Sequence, residues 1–270
     1  MAVLIAPPIH AVPVEVGGMA VLLRTCDSDF ARMLQDRYAG FVNPRVAPVF
    51  EFDVDLVVPS GVDPDAEVQV RCEHGRWSFR RGDFQAEWDP RARRGSIRQT
   101  ANPYSVDAVL RIVHTLVLAG EGGFLLHSAS AMRGGRAFLF SGLSGAGKTT
   151  ISRLAPPDVT LLTDEVSYVR RRPEGYQAFG TPFAGELARV GENVSAPIAA
   201  VYLLDKGPAN RIDPVSALEA TQRIMRNILF FAEEPEMVRR VFEAACEFVA
   251  RVPVYRLTFF PDERVWELIR

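Results

Sequence analysis

The stretch Gly142-Leu143-Ser144-Gly145-Ala146-Gly147-Lys148-Thr149 constrains this chain more than any other, because it reads G-x-x-x-x-G-K-T. Such a loop turns backbone N–H groups toward a phosphate, sends a lysine to the outer phosphates and offers a hydroxyl to Mg²⁺. Its flanks suit that task. The apolar run Ala137–Phe140 enters as a buried strand, and a helical segment leaves from about Lys148 to Leu154. Composition sharpens the point: of 31 basic residues only Lys148 and Lys206 are lysines. One of these two falls where a flexible ammonium, not a planar guanidinium, is needed. The competing reading is a glycine-rich turn between strand and helix. Candidate nucleotide contacts are therefore Gly142, Ser144, Gly145, Ala146, Gly147, Lys148, Thr149 and Thr150.

The 270 residues suffice for one large domain or two smaller ones, and 48% hydrophobic against 24% charged is a globular balance. A net charge of −2 gives no general attraction to nucleic acid or to a membrane. Arg71 to Arg98 is the local exception, with a solvated sheet face and an acid-docking surface as its two readings. Cys26, Cys72 and Cys246 are far apart and lack metal-ligand spacing, as expected of reduced thiols in a cytoplasmic protein. Met1 to His10 lacks a charged start and breaks at Pro7-Pro8, unlike a signal peptide. The best apolar run, Ala108 to Gly120, contains Arg111 and His114, which argues against a membrane span.

Residues 1–100 read as a β-rich domain. Phe50, Phe52, Val54 and Leu56 alternate with acids; Val68, Val70, Cys72 alternate with Gln69, Arg71 and Glu73, and Phe84, Ala86, Trp88 with Gln85 and Glu87. One helix interrupts, carrying Phe30, Met33, Leu34 and Phe41, with Ser28 as its cap. The polar segment Asp89–Pro103 is the expected boundary. Over 101–270 the pattern predicts helices alternating with strands. A helix runs over Ser105–Leu118, and strands over Val159–Thr163, Ala199–Leu204 and Val254–Phe259. Ser216-x-x-Glu219 opens a helix reaching about Phe231. Another follows Pro235 with Val238, Phe242, Ala245 and Val249 on its core face, and a last short one covers Asp262–Arg270. Gly134-Gly135 joins two apolar runs as a tight hairpin. In the two-residue-loop register, Arg133 faces Arg136 and His127 falls opposite Gly142.

Asp164 closes a short apolar strand after the loop's helix, the position of a Mg²⁺-holding acid; its other reading is a turn cap. Glu165 beside it is either a second carboxylate that accepts a proton or a solvent-facing residue. His127 is either a core histidine or a member of the site.

These residues carry a resemblance. Leu126-His127-Ser128-Ala129-Ser130-Ala131, Phe140-Ser141-Gly142 through Thr149, and Leu162-Thr163-Asp164-Glu165 are similar to the core of HPr kinase/phosphorylase-like proteins. Gly180-Thr181-Pro182-Phe183-Ala184-Gly185-Glu186, Leu204-Asp205-Lys206-Gly207 and Val252-Pro253-Val254-Tyr255 resemble its short branch, found beside peptide-maturation systems. The likeness covers roughly residues 105–270. It implies an α/β P-loop kinase core, of the type shared with phosphoenolpyruvate carboxykinase, behind the β-rich domain. It implies an ATP- and Mg²⁺-dependent kinase acting on a hydroxyl, serine foremost, of a protein or peptide, assembled as a ring or dimer. His127, Lys148, Asp164 and Glu165 then form the catalytic set, with Thr149, Asp164 and Glu165 toward metal. The chain carries Asp-Glu where enzymes acting on HPr carry Asp-Asp. A small-molecule kinase and a nucleotide-gated binding protein without transfer activity are the alternatives.

Overall fold

The computed structural model describes residues 8–58, 66–183, 185 and 190–270. Met1 to Pro7, read above against a signal peptide, and Ala184 and Glu186 of the Gly180–Glu186 stretch lie outside the described residues. The chain divides into two compact units, Met1–Ile112 with Phe231–Glu233, and Val113–Phe230 with Glu234–Arg270.

The first unit is built on a seven-stranded sheet. Its strands are β1 (His10–Val16), β2 (Met19–Thr25), β3 (Phe50–Leu56), β4 (Gln69–Glu73), β5 (Arg76–Arg81), β6 (Phe84–Asp89) and β7 (Arg94–Gln99), in the order β1-β2-β3-β7-β6-β5-β4. Period-two alternation dictates the layering. Val12, Val14, Leu23, Phe52, Val54, Phe79, Ala86, Trp88 and Ile97 are buried, and along β3, β5 and β6 the alternate residues are mostly charged or polar. On the polar side arginines meet acids: Arg24 with Asp53 (2.8 Å), Arg76 with Asp89 (3.1 Å) and Arg94 with Glu51 (3.7 Å). Helix α1 (Ser28–Arg37) buries Phe30, Ala31 and Leu34. Its cap is Asp27, whose carboxylate accepts the N–H groups of Asp29 and Phe30, so Ser28 is the first helical residue instead of the cap. The division between the units falls within α2 (Pro103–Glu121).

Among its described residues the second unit carries nine strands: β8 (Phe124–Arg133), β9 (Arg136–Ser141), β10 (Val159–Thr163), β11 (Val166–Arg172), β12 (Gly175–Phe179), β13 (Ser195–Lys206), β14 (Arg211–Pro214), β15 (Ile228–Leu229) and β16 (Val254–Phe259). Helices α3 (Lys148–Arg153), α4 (Ala217–Met225) and α5 (Pro235–Arg251) intervene, and a 3-10 turn at Glu263–Glu267 follows. The expected α/β kinase core is not what the chain forms. Strand accounts for 41% and helix for 27%, in two large mixed sheets, so the protein is β-rich. The reason lies in the pairing. A wound α/β sheet needs parallel strands joined by crossover helices. In the second unit β8 is antiparallel to β9, β10, β11 and β15, and among its described ladders only those of β13 with β9 and β16 are parallel. Strands β11 and β12 add a further antiparallel hairpin. Strand β13 belongs to ladders of both kinds, antiparallel to β12 and parallel to β9 and β16. The pairings β8–β11–β12–β13–β9–β8 therefore close into a ring.

Two apolar clusters fill this unit. One joins Leu126, Leu139, Leu162, Val169 and Leu203 to Ile224 of α4 and to Ala244 and Phe248 of α5. The other joins Ala129, Phe138, Phe140, Tyr202 and Leu257 to Ile151 of α3 and to Trp266 and Ile269. Ser216 caps α4 by accepting the Glu219 N–H, as its spacing predicts, but the helix stops at Met225. Beyond it Ile228 and Leu229 pair with Leu126 and Leu125 of β8, which takes them out of helical geometry.

Candidate functional site

Gly134 and Gly135, at φ of 56° and 73°, make the two-residue turn between β8 and β9. A type I′ turn demands positive φ at both positions, which glycine supplies without strain. The turn sets Arg133 against Arg136 and runs the ladder to Ser128 against Ser141, the register the sequence predicts. Ser141 therefore delivers the chain into the phosphate loop one strand away from Ser128. His127 stands one residue past that pair, and its carbonyl accepts the Ser141 hydroxyl at 3.5 Å. His127 also pairs with Val166 of β11 and donates its N–H to the Asn227 carbonyl at 2.7 Å. It is half-buried.

Within the loop, Gly145 and Gly147 have φ of 75° and 112°. At Gly147 a Cβ would also sit 2.8 Å from the Phe259 ring, and at Gly142 one would sit 2.8 Å from the Ala146 Cβ. The glycines are thus required by geometry as well as by flexibility. Ser144 and Gly145 are exposed, and Ala146, Gly147, Thr149 and Thr150 half-buried. Ala146 donates its N–H to Leu143, closing the turn at 3.0 Å. Lys148 is buried, and its ammonium donates to the carbonyls of Gly142 (2.8 Å) and Leu143 (3.1 Å). A buried ammonium held by the loop's own carbonyls is poised for exchange onto an anion in the same cradle.

Asp164 and Glu165 lie in the bend between β10 and β11, both of which run along β8. The register shifts between Leu161 and Thr163, so the acids sit in an irregular stretch of an edge that is otherwise continuous. The Thr163 hydroxyl fixes the bend by accepting the N–H groups of Glu165 and Val166, each at 3.2 Å. The Glu165 carbonyl accepts the Ser128 N–H at 3.0 Å. Glu165, Ser128 and Ser141 consequently form one row across three adjacent strands. The acids' backbone is two strand spacings, roughly 10 Å, from the start of the phosphate loop. Asp164 is buried and accepts the Gly185 N–H at 3.0 Å; Glu165 is half-buried. Paired hydroxyls of Ser128 and Ser167, 2.7 Å apart, lock β8 to β11 beside the row.

On the other side of the loop a cavity of about 550 Å³ is lined by Gly142 to Ala146, by Asp205 and Lys206 of β13, and by Arg223, Arg226 and Asn227. None of the last three is marked by a sequence motif: Arg223 lies in the last turn of α4, and Arg226 and Asn227 follow an end that the capping pattern does not mark. Arg223 is bound to Asp205 (2.7 Å and 2.9 Å) and to the Leu204 carbonyl, and the carboxylates of Asp205 first and Glu219 second raise its pKa. Arg256 reaches Glu219 at 2.6 Å and completes the charge network.

Among the described residues no group of three or more His, Cys, Asp or Glu side chains could hold a metal. Mg²⁺ beside a nucleotide does not need one: it takes one or two carboxylates, phosphate oxygens and water. A buried Asp164, the adjoining Glu165 and the Thr149 hydroxyl match that donor set in chemistry, since a carboxylate held in the interior is favoured by a cation.

Over residues 97–270 the sequence matches the model of a family described as SynChlorMet cassette protein ScmC. No curated protein matches the chain. The family match takes in most of the chain, which therefore belongs to the ScmC family.

Proposed function

We propose that this ScmC-family chain binds ATP at the Gly142–Thr149 loop and transfers the terminal phosphoryl group to a hydroxyl, serine foremost, of a protein or peptide. The observation that carries the reading is the buried Lys148 ammonium, turned onto the carbonyls of its own loop two strands from the Asp164–Glu165 bend. The resemblance to HPr kinase-like proteins in Leu126–Ala131, Phe140–Thr149 and Leu162–Glu165 supports the same chemistry.

In this reading Lys148 leaves the Gly142 and Leu143 carbonyls for the outer phosphates, and the loop N–H groups orient the chain of phosphates. Thr149 and Asp164 would hold Mg²⁺, which would supply charge neutralisation at the phosphates. Glu165, with Asp164 and His127 beside it, accepts the proton of the attacking hydroxyl. The hydroxyl oxygen bonds to the γ-phosphorus as the bond from phosphorus to the β–γ bridging oxygen breaks. That electron pair leaves with ADP.

Among the described residues no helix is long and apolar enough to cross a membrane, and Cys26, Cys72 and Cys246 are free thiols. A reducing cytoplasm, where ATP is made available, suits such a protein. The test incubates the protein with γ-labelled ATP, Mg²⁺ and cell extract split into polypeptide and small-molecule fractions. Label in the polypeptide fraction is the expected result. Label only in small molecules assigns a metabolite kinase. ATP binding without turnover assigns a nucleotide-gated binding protein, and no ATP binding removes the reading altogether.

A further inference from the structure

The spacing of α5 predicts a core face of Val238, Phe242, Ala245 and Val249, yet the helix buries Val241, Ala244, Ala245 and Phe248. The buried stripe is rotated by about one residue, or 100°. Val238 and Phe242 are left 44% and 52% exposed. Helix α4 does the same: it buries Ala220 and Ile224 and leaves Leu218 70% exposed. Between the two helices runs a groove of about 780 Å³, walled by Ala217, Leu218 and Met225 on one side and Phe242, Cys246 and Val249 on the other. Arg226 lines the groove, and the same Arg226 lines the phosphate-loop cavity. Its neighbour Arg223 is committed to Asp205 and Glu219. The Arg226 guanidinium makes no hydrogen bond or ion pair among the described residues and is exposed.

We propose that the α4–α5 groove docks the acceptor polypeptide: apolar side chains near the acceptor hydroxyl fill it, while an acidic group of the same segment meets Arg226. The proposal rests on the kinase reading above and names the substrate's recognition element. Continuity argues for this occupant, because a chain leaving the groove past Arg226 enters the cavity of the phosphate loop. Charge argues for it as well, since an uncommitted guanidinium at the junction attracts an anionic group. Scale argues against a second copy of this chain. Helix α4, one wall of the groove, is nine residues or about 13 Å long. That suits a short peptide anchored by two or three side chains, whereas a stable dimer buries about 800 Å² on each partner.

The test pans a displayed library of random twelve-residue peptides with a fixed central serine against the full chain with ATP and Mg²⁺. Leu218→Asp/Phe242→Asp is the counter-target, and Phe242→Leu controls for folding. Peptides carrying large apolar residues at a fixed offset from the serine, with an acid beside them, are expected. Their binding should fall at least tenfold on the double Asp variant and on Arg226→Ala, survive in Phe242→Leu, and leave ATP binding of the double Asp variant unchanged. Recovery of no such peptides, or equal binding to the double Asp variant, overturns the proposal. So does a concentration-dependent dimer abolished by the double Asp variant, which gives the groove to a second copy. Groove-dependent peptides that never take label from ATP leave the docking site standing and remove the transfer reading instead.

Discussion

Single residues in the phosphate loop make distinguishable demands. Gly147 needs both a positive φ and the absence of a Cβ against Phe259, whereas Gly145 needs only the φ, with no atom within 4 Å of a Cβ there. Gly147→Ala should cost about 2 kcal/mol, and Gly145→Asn under about 1 kcal/mol, since asparagine tolerates the left-handed region. Urea melts of the two variants check this. The two acids divide as well. Asp164, buried with Gly185 on one oxygen, suits metal holding; Glu165, half-buried, suits proton transfer. Asp164→Asn should raise the Mg²⁺ concentration needed for half-maximal turnover. Glu165→Gln should lower turnover by about 10²–10⁴ with ATP binding little changed. Identical Mg²⁺ titrations for both variants and wild type would contradict the division.

At the scale of elements, the β8–β9 hairpin fixes the site, and it was legible because a Gly-Gly pair between apolar runs admits one tight turn. Gly134→Asn should therefore be nearly neutral in melting temperature. Gly134→Val, forced to positive φ, should cost about 1–2 kcal/mol. The Ser216 cap was equally plain, because its hydroxyl acts within three residues. Two elements misled the reading. Apolar spacing along α5 shows a stripe but not which of two overlapping stripes meets the core, and the packing of Phe248 on Phe124 and Tyr176 decides it. The fold class failed for a related cause. Short apolar strands look alike whether parallel or antiparallel, so helices alternating with strands, together with the resemblance, suggested an α/β core where β8 builds antiparallel ladders. Arg223, Arg226 and Asn227 reach the loop only through that long-range pairing, for which local sequence holds no signal.

For the molecule as a whole, acid stability follows from His114. The ring is buried against Tyr168, 3.1 Å from its hydroxyl. Burial first, and the Arg170 charge second, lower its pKa from 6.5 to about 3. The unfolded chain takes up this proton below about pH 6.5 and the folded chain does not. Stability contributed by the neutral ring is therefore complete above pH 6.5 and is lost as pH falls toward 3, by up to about 1.4 kcal/mol per unit. His114→Gln should flatten that slope relative to wild type in urea melts between pH 7 and 4.5. The central claim, a nucleotide site worked by Lys148, is tested most directly by calorimetric titration of ATP with Mg²⁺ into wild type and Lys148→Ala. Saturable binding by wild type, weakened by about 10–100-fold in a variant with unchanged far-ultraviolet circular dichroism, is the predicted result. Equal affinity in the two proteins, or no binding by wild type, would contradict it.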